Sequence, residues 1–477
     1  MIIIVLLLAT VLRIIGLDQS LWLDEAININ NAAMLSFKSL FFNYSLGDFH
    51  PPLYHLVIKA WVSVFGISEP AVRTPSILFA IGTIYLTYLI GRKLYDQKTG
   101  IIAALLLATA PLHIYYSQEA RMYMMAAFFT TLSIYFFLSI FEKDRLYNWL
   151  GFIISTTLLL YTDYLPYLLI IVYGFYILVR RKLESRHTIV SFIPALVVIF
   201  TLLIPWLILF PQQLQAGQSV AAENPAWSQV VGQANVKNFF LSFVKFTIGR
   251  ISNDNNLHYG LLFAPVGFFV SILFGMSLFR ISSKRLIIYA WFFIPIILAF
   301  AISFFIPVFS YFRFIFVLSA FYLIWASAIN TVNIKKLTIY FLVFALLINF
   351  VSTFIYLTNP KYQRENWQDA TNYILSNSNG NTIVLFESSH TAAPFDYYNK
   401  GLVNGYGALD SFNVDSVQIK KDLPLLIKDK DKIFLFQYLS GLTDPNGLLF
   451  QQIINNNFKN TDVKDFSGVG FVYEFNR

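Results

Sequence analysis

The chain begins MIIIVLLLATVLRIIGLDQSLWLDE (residues 1–25), an apolar run followed directly by Trp22, Asp24 and Glu25. About 17 apolar residues are enough to cross a bilayer as a short helix. The run lacks a basic start and a small-residue cleavage motif, so it is not typical of a signal peptide. We therefore expect a first membrane span that stays in place, with two carboxylates just beyond its end.

The composition is that of a membrane protein. Of 477 residues, 57% are hydrophobic and only 13% are charged, and the mean hydropathy is +0.61. A soluble protein of this length needs more charge to cover its surface. The chain has no cysteine, which excludes disulfides, thiolate metal sites and a thiol nucleophile.

Further apolar runs recur along the chain and predict an all-α polytopic fold. A helix crosses the hydrocarbon core with about 17–25 residues. On that basis we mark eleven candidate spans, near residues 2–17, 71–90, 101–116, 122–141, 149–163, 164–179, 188–210, 258–279, 286–306, 312–330 and 337–357.

The charges between these spans favour one orientation. Lys and Arg concentrate in five connections that share one side of an eleven-span arrangement, at 92–98, 142–145, 180–186, 280–285 and 335–336. Short cytoplasmic loops are enriched in these residues. We therefore expect a multi-pass protein of the cell membrane, with a cytoplasmic N-terminus and an extracytoplasmic C-terminus.

Three segments then lie outside: a first loop (18–70), a second loop (211–257) and the C-terminal part. In the loops, MLSFKSLFF, PPLYHLVIKAWVSVF and NVKNFFLSFVKF repeat apolar residues at the spacing of interfacial helices. In the C-terminal part, NTIVLF, KIFLFQYL and GVGFVYEF predict strands, and NWQDATNYILS and SVQIKKDLPLLI predict helices. We expect a transmembrane domain of residues 1–357 and a small α/β domain of residues 358–477.

The Trp22-Leu23-Asp24-Glu25 motif allows two compatible interpretations. It can be a helix start, with Asp24 as N-cap, Glu25 in the first turn and Trp22 anchored at the membrane interface. Alternatively, an extracytoplasmic carboxylate faces a cavity at membrane level and takes a proton from a substrate.

The stretch DFHPPLYHLVIKAW (48–61) likewise allows either a structural role at a helix start or a functional role at the cavity. Pro51 and Pro52 favour an extended His50 and start a helix. His50 is either a polar cap or, with Asp48, part of the mouth of the cavity that holds Asp24.

In APLHIYYSQEARMYMM (110–125), Gln118, Glu119, Arg121 and Tyr123 lie between two apolar runs. Charges at such a depth are costly unless they are paired or reach water. Glu119 and Arg121 are two residues apart and point to different helix faces, so each needs a tertiary partner or a ligand. The alternative is a snorkelling Arg121 and a solvated Glu119.

Two further arginines lie near the outer ends of spans. Arg313 in FIPVFSYFRFIFVLSAFYL (305–323) suits an anionic headgroup or a phosphate, although snorkelling is an alternative. Arg13 could pair with an acid of the first loop.

Phosphate-loop, dinucleotide, hydrolase and zinc-protease motifs are absent from the sequence. The basic residues flank spans and form no aromatic-interleaved patch, which excludes nucleic acid as a partner.

The order of the motifs resembles one group of proteins. W-x-D-E, H-P-P-L-Y, G-x-S-E-P-A-x-R-x-P-S (66–76) and P-L-H-I-Y-Y-S-Q-E-A-R-M-Y are similar to the GT-C polytopic glycosyltransferases. Within these, they resemble the protein-mannosyltransferase and aminoarabinose-transferase group, glycosyltransferase family 39 and its relatives. The resemblance covers about residues 10–140 and is looser to residue 330, where F-R-F (312–314) stands where relatives often have R-Y. The C-terminal part matches only in outline, through YQRENWQDATNYI.

This resemblance implies transfer, with inversion, of a mannose-like hexose or related sugar from a polyprenyl phosphate to an extracytoplasmic protein, lipid or glycan. Asp24 would be the general base, and Glu25 would support it or bind the acceptor. Substrate and phosphate would be bound by residues of the later motifs: His50, Gln118, Glu119, Arg121, Tyr123 and Arg313. Relatives differ in metal use, so no cofactor is assigned and a divalent cation stays open.

Two other functions compete with this hypothesis. Many spans with buried charges suit a lipid-linked sugar flippase or transporter. An outer α/β domain also suits a non-catalytic envelope assembly protein. The transferase hypothesis requires Asp24 and Arg121 to share one cavity, and it fails if they lie on opposite sides of the bundle.

Overall fold

The computed structural model describes residues 1–223, 232, 234–253, 255–332, 334–409 and 414–477. The N-terminal three quarters of the chain are helical. The principal helices up to the middle of the chain are Ile2–Ile14, Leu23–Met34, Leu53–Phe65, Glu69–Leu94, Gln97–Thr109, Pro111–Ser117, Tyr123–Glu142, Leu146–Leu160 and Leu169–Arg180. They are followed by Arg186–Leu207, Phe210–Glu223, Val236–Ile248, Asn256–Leu278, Leu286–Ile302, Leu318–Thr331 and Lys335–Thr358. Short helical turns lie at Phe37–Ser39, Leu40–Tyr44, Ser45–Gly47, Leu165–Leu168, Tyr311–Val317 and Pro360–Tyr362.

A helix occupies each of the eleven predicted spans, but the number that cross a membrane is smaller by length and composition. Six described helices qualify: Glu69–Leu94, Tyr123–Glu142, Arg186–Leu207, Leu257–Leu278, Tyr311–Thr331 and Lys335–Thr358. A seventh would be the pair Gln97–Thr109 and Pro111–Ser117, which bends by 61° because Pro111 interrupts it. The other predicted spans are helices of 10–17 residues. The polytopic all-α prediction is confirmed, whereas the count of eleven is not.

Small residues let the central helices approach closely. A Cβ added to Gly91 would lie 2.7 Å from the Cα of Gly100, across the contact between Glu69–Leu94 and Gln97–Thr109. Glycine is favoured at such contacts because the backbones meet directly. Leu318–Thr331 runs through the middle of the bundle and is buried almost throughout.

The predicted basic connections gather at one end of the bundle. Lys93 and Lys284 both approach Glu142, at 2.5 and 3.9 Å. Arg180 Nη1 donates to Ser283 Oγ over 3.3 Å. We call the opposite end, which carries the first loop and residues 117–122, the site face.

The C-terminal α/β domain contains a five-stranded sheet in the order β2-β1-β3-β5-β4. The strands are β1 (Thr382–Phe386), β2 (Gly405–Gly407), β3 (Lys432–Phe436), β4 (Lys459–Phe466) and β5 (Gly470–Asn476). β2, β1 and β3 are parallel, and β5 runs antiparallel to β3 and β4. The accompanying helices are Trp367–Asn377, Ala393–Asn399, Ser416–Leu426 and Leu448–Asn455, with short turns at Ser389–Thr391 and Ser440–Thr443.

This domain packs directly on the helix that carries the WLDE motif. Leu23 belongs to the same apolar cluster as Trp367. Tyr398 Oη accepts from the Leu21 N–H over 2.8 Å and donates to Glu69 Oε1 over 2.9 Å. The α/β domain therefore forms part of the environment of Asp24.

Candidate active site

The WLDE helix begins at Leu23, two residues earlier than an Asp24 N-cap requires. Trp22 precedes it with extended backbone, and the Trp22 N–H donates to Glu25 Oε2 over 3.4 Å. The prediction that Asp24 is the N-cap is therefore wrong, because Glu25 reaches back to the helix start instead. Asp24 is the second helical residue, and its carboxylate does not cap the helix.

Glu25 is fully buried, and its carboxylate accepts from three N–H donors besides that of Trp22. Arg73 Nε and Nη2 donate to its two carboxylate oxygens over 3.0 and 2.7 Å. The Ala120 N–H donates to Oε1 over 2.7 Å. Arg73 also donates to the main-chain carbonyls of Leu17, Gln19 and Ser20. This burial does not fit an acceptor-binding Glu25; the residue instead joins the helix start to residues 17–20 and 120.

Asp24 is paired with Arg121. The distance from Asp24 Oδ2 to Arg121 Nη2 is 3.4 Å. The Asp24 side chain is 34% exposed, whereas that of Arg121 is 9% exposed. A partly exposed carboxylate beside a buried guanidinium can contact a ligand. The two residues thus contact each other and do not lie on opposite sides of the bundle, which is the arrangement that would contradict the transferase hypothesis.

Glu119 finds its partner in the connector before the α/β domain. Arg364 Nη1 donates to Glu119 Oε2 over 2.6 Å, and both side chains are buried. Arg364 also lies over the ring of Tyr115, with its guanidinium carbon 3.8 Å from the ring centre. Glu119 and Arg121 therefore have separate tertiary partners, as their spacing predicted.

The side chains of Gln118 and Arg13 bind other groups of the protein inside the helical bundle. The Gln118 amide donates to the carbonyls of Arg13 and Ile15 over 3.1 and 2.7 Å, and it accepts from Tyr356 Oη over 2.8 Å. With all these groups satisfied and 1% exposure, Gln118 does not fit the predicted substrate role. Arg13 Nη2 lies 2.7 Å from His113 Nδ1, so its expected pairing with an acid of the first loop is wrong.

Asp48 lies between two imidazoles. His50 Nδ1 and His55 Nε2 are each 3.1 Å from one of its carboxylate oxygens. Burial raises the pKa of Asp48, but the two histidines outweigh that effect and hold the pKa well below its ordinary value. Arg121 is within electrostatic range of Asp48 as well as Asp24, which places His50 beside the same site.

The first loop is held in place by a residue of the second. The Gln213 amide donates to the carbonyls of Ser45, Asp48 and His50 over 2.7, 2.5 and 3.0 Å. Three main-chain acceptors on one side chain fix the path of this loop. The position of His50 therefore depends on a contact that lies more than 160 residues away in sequence.

Arg250 is a cation on the site face that the sequence prediction missed. It is exposed and donates to Tyr115 Oη, with its guanidinium carbon 4.6 Å from the ring centre. Gly249 precedes it at φ +71°, where a Cβ would also lie 3.2 Å from Pro111. This left-handed turn ends Val236–Ile248 and directs Arg250 to Tyr115.

Arg313 and Tyr123 lie on the same face. Arg313 is within electrostatic range of Tyr123, Arg121 and Asp163. Tyr123 packs edge-on against Tyr116, with ring centres 5.0 Å apart. Among the described residues, the ion pairs of arginine with carboxylate on this face involve Arg73, Arg121 and Arg364, and not Arg250 or Arg313.

The donors on this face do not form a metal cage. Within the described part of the chain, no three His, Asp or Glu side chains are placed to hold a metal ion. The carboxylates of Glu25, Asp24 and Glu119 are instead each paired with an arginine.

Four charged residues on the site face were not predicted as site residues, because the sequence around each gives only a weak indication of a functional role. Arg73 lies in the G-x-S-E-P-A-x-R-x-P-S stretch and Arg364 in YQREN, and both stretches were noted only as parts of the resemblance. Arg250 follows a glycine at a helix end, and Asp163 follows an apolar run. A buried or juxtamembrane charge beside such boundaries is a candidate by default, but only the tertiary structure supplies its partner.

Residues 49–209, roughly a third of the chain, match the model of the dolichyl-phosphate-mannose-protein mannosyltransferase family. An uncharacterized protein from Aquifex aeolicus (strain VF5) is 26% identical over 141 residues. That alignment covers 29% of this chain and 28% of the relative, so the chain matches less than a third of the relative's length.

Two solved structures share the fold over almost the whole chain. ArnT from Cupriavidus metallidurans in the apo state has a TM-score of 0.58 at 12% identity, covering 99% of this chain and 97% of that one. The oligosaccharyltransferase AglB from Archaeoglobus fulgidus has a TM-score of 0.57 at 12% identity, covering 99% of this chain and 74% of that one. At such identities the likeness establishes the fold, and functional assignment rests on the site.

Proposed function

We propose that this chain is a membrane glycosyltransferase of the GT-C type, which transfers a sugar from a polyprenyl-phosphate carrier to an acceptor hydroxyl, with inversion; the family match and the shared fold support this proposal. The observation that carries the proposal is the partly exposed Asp24 carboxylate 3.4 Å from the buried guanidinium of Arg121. Those two groups supply a base and a cation, as the reaction requires.

In the proposed step, the acceptor oxygen attacks the anomeric carbon and the bond from that carbon to the phosphate oxygen breaks. The hydroxyl proton goes to Asp24, and the electron pair leaves with the phosphate. A lipid phosphate leaves without protonation, so one carboxylate suffices, unlike in an inverting glycosidase. The arginines would stabilise the negative charge that grows on the departing phosphate.

Asp24 is better placed than Glu25 to act as base. Glu25 is fully buried and its two oxygens are bonded to Arg73 and Ala120. Asp24 keeps about a third of its side chain exposed, and among the described residues its carboxylate has one ion-pair partner, Arg121, at 3.4 Å. We therefore propose that Glu25 holds the start of the helix in place and so positions Asp24.

The phosphate is proposed to bind among Arg121, Arg250 and Arg313. Arg250 is exposed on the site face, and Arg313 is within electrostatic range of Arg121. Several cations with few carboxylate partners repel one another until an anion joins them. The Cupriavidus ArnT has been solved bound to undecaprenyl phosphate, and AglB in complex with a dolichol-phosphate, which supports a carrier of this type.

The site face is proposed to be extracytoplasmic. The opposite end gathers the basic loops around Glu142, and cytoplasmic loops are rich in Lys and Arg. The α/β domain would then lie outside the cell membrane. His50, Glu119 and Tyr123 would contribute to the surroundings of the sugar. We propose a mannose-like hexose or a related sugar, which the family match supports.

The test is release of free polyprenyl phosphate by the full chain in proteoliposomes. The donors are undecaprenyl-phosphate mannose, glucose and aminoarabinose, each with and without a mixed envelope extract. We expect extract-dependent release from at least one donor. Movement of labelled carrier across the bilayer without release would indicate a flippase, and the absence of both would indicate an assembly protein.

Arg250→Gln and Arg313→Gln are each expected to weaken the binding of undecaprenyl phosphate by about 10–100-fold. Loss of one charge-assisted hydrogen bond corresponds to roughly 1.5–3 kcal/mol. The measurement is microscale thermophoresis with labelled protein in nanodiscs. Arg280→Gln is the matched control, because Arg280 donates to Thr331 and Asn330 at the opposite end of the bundle. If all three variants bind undecaprenyl phosphate with the affinity of the wild type, neither Arg250 nor Arg313 belongs to the phosphate site.

A further inference from the structure

A cavity of about 570 Å³ opens in the α/β domain beside the candidate active site. Three segments form its walls: the connector at 360–365, the turn after β3 at 438–439, and the β4–β5 turn at 465–470. Its size lies within the range of small-molecule sites. The connector segment includes Arg364, which binds Glu119, so the cavity shares a wall with the active site.

Glu365 is held rigidly in the wall of this cavity. Tyr438 Oη donates to its two carboxylate oxygens over 3.0 and 3.1 Å, and Trp367 Nε1 donates to Oε2 over 2.7 Å. Gly468 packs against its backbone, since a Cβ there would lie 2.9 Å from the Glu365 Cα. Two donors fix the carboxyl group and leave acceptor positions for a ligand.

The same carboxyl group is electrostatically connected to the catalytic region. Burial raises the pKa of Glu365 to about 7, the bonds from Trp367 and Tyr438 oppose this effect, and the charge of Asp24 adds to it. Arg250 also lies within range and opposes the rise. A ligand bound at Glu365 would therefore lie within electrostatic range of Asp24, the proposed base.

The position of the cavity in the sheet indicates what it accepts. It lies at the carboxyl end of β3 and at the turn between β4 and β5, so strand ends and a turn line it, and not the length of the free edge strands β2 and β4. An extended peptide recognised by strand addition needs a free edge. A compact ligand suits this place better, as in other sheets that bind ligands beyond the carboxyl ends of their strands.

We propose that this cavity binds the saccharide-type, hydroxyl-bearing head group of the acceptor, with Glu365 and Tyr438 as its recognition residues. The polar lining suits such a ligand: Gln363, Glu365, Asp465 and Ser467 offer hydrogen-bond acceptors and donors beside the Tyr438 ring. The inference rests on the proposed transfer function and adds the acceptor class to it. The α/β domain would thus bring the acceptor hydroxyl to Asp24.

The test is saturation-transfer-difference NMR on the full chain in nanodiscs. The probes are short oligosaccharides of mannose, glucose and N-acetylglucosamine and, separately, Ser- and Thr-containing peptides. We expect binding of at least one saccharide, weakened about tenfold or more in Glu365→Gln, since a hydrogen bond to a charged group is lost. Tyr438→Phe, which keeps the ring, should also weaken it.

Glu387→Gln is the matched control. Glu387 is a buried carboxyl on the same sheet that accepts a hydrogen bond from Thr443 and does not line the cavity. The Glu387→Gln variant should bind the saccharide with the affinity of the wild type. Equal binding by Glu365→Gln, binding of the peptides alone, or no saccharide binding by the wild type would overturn the inference.

Binding of undecaprenyl phosphate, measured on the same samples, separates the two proposals. If the carrier binds and no saccharide does, the acceptor inference fails while the transferase proposal stands. If the carrier does not bind, the transferase proposal fails, whatever the saccharide result. Glu365→Gln should keep the wild-type affinity for the carrier, because Glu365 is not assigned to the phosphate site.

Discussion

Asp24→Asn is expected to lower acceptor-dependent release of polyprenyl phosphate by about 10²–10⁴-fold. The amide cannot take the hydroxyl proton, although it has the size and shape of the carboxylate. The measurement is the proteoliposome assay with the active donor at saturating concentration. Because Asp24 also faces Arg121 at 3.4 Å, binding of the carrier should be retained or become tighter when the carboxylate charge is removed.

Asp18→Asn is the control for this substitution. Asp18 is an exposed carboxylate on the same loop, six positions before Asp24, and its replacement should leave the rate within twofold of the wild type. A rate for Asp24→Asn within tenfold of the wild type would remove Asp24 as the base. Loss of carrier binding together with loss of turnover would instead assign Asp24 to the donor site.

Glu25→Gln is expected to lower the free energy of unfolding by about 3–5 kcal/mol. Breaking a fully buried ion pair leaves the Arg73 charge without a counter-ion in the interior. The measurement is unfolding by SDS titration in mild detergent, followed by circular dichroism. Activity should fall as well, because the helix that presents Asp24 loses its attachment to residues 17–20 and 120.

The comparison is Glu142→Gln at the opposite end of the bundle. Its carboxylate pairs with Lys93 at 2.5 Å but is 39% exposed, and exposed pairs contribute only about 0–1 kcal/mol. The two substitutions thus remove similar ion pairs that differ in burial. Equal destabilisation by both would contradict a structural role for the Glu25–Arg73 pair.

Local patterns in the sequence predicted the helices and three of the strands. Apolar runs marked a helix at each of the eleven predicted spans, because burial in lipid or in a helical core demands such runs. The helix Phe210–Glu223 has no such run and was not predicted. NTIVLF, KIFLFQYL and GVGFVYEF correspond to β1, β3 and β5. β4 was missed because it is an edge strand whose residues are almost all exposed, so Lys459–Phe466 shows no apolar alternation. β2 has only three residues and two of them are glycines.

The motif order also predicted which charged residues meet on one face, but not which role each has. Asp24 with Arg121 was anticipated, whereas the burial of Glu25 and the packing role of Gln118 were not. Adjacent residues on a helix point in different directions. Asp24 and Glu25 therefore have different environments although the sequence presents them as a pair.

By itself, the sequence determined the membrane class, the helix positions, the clustering of basic loops at one end and the group of proteins that the chain resembles. These follow from hydropathy, spacing and charge, which act locally along the chain. The tertiary structure alone decided that Arg73 binds Glu25, that Arg364 binds Glu119, and that Glu365 is within electrostatic range of Asp24. Partners separated by up to several hundred residues meet because burying a charge is costly until an opposite charge compensates it.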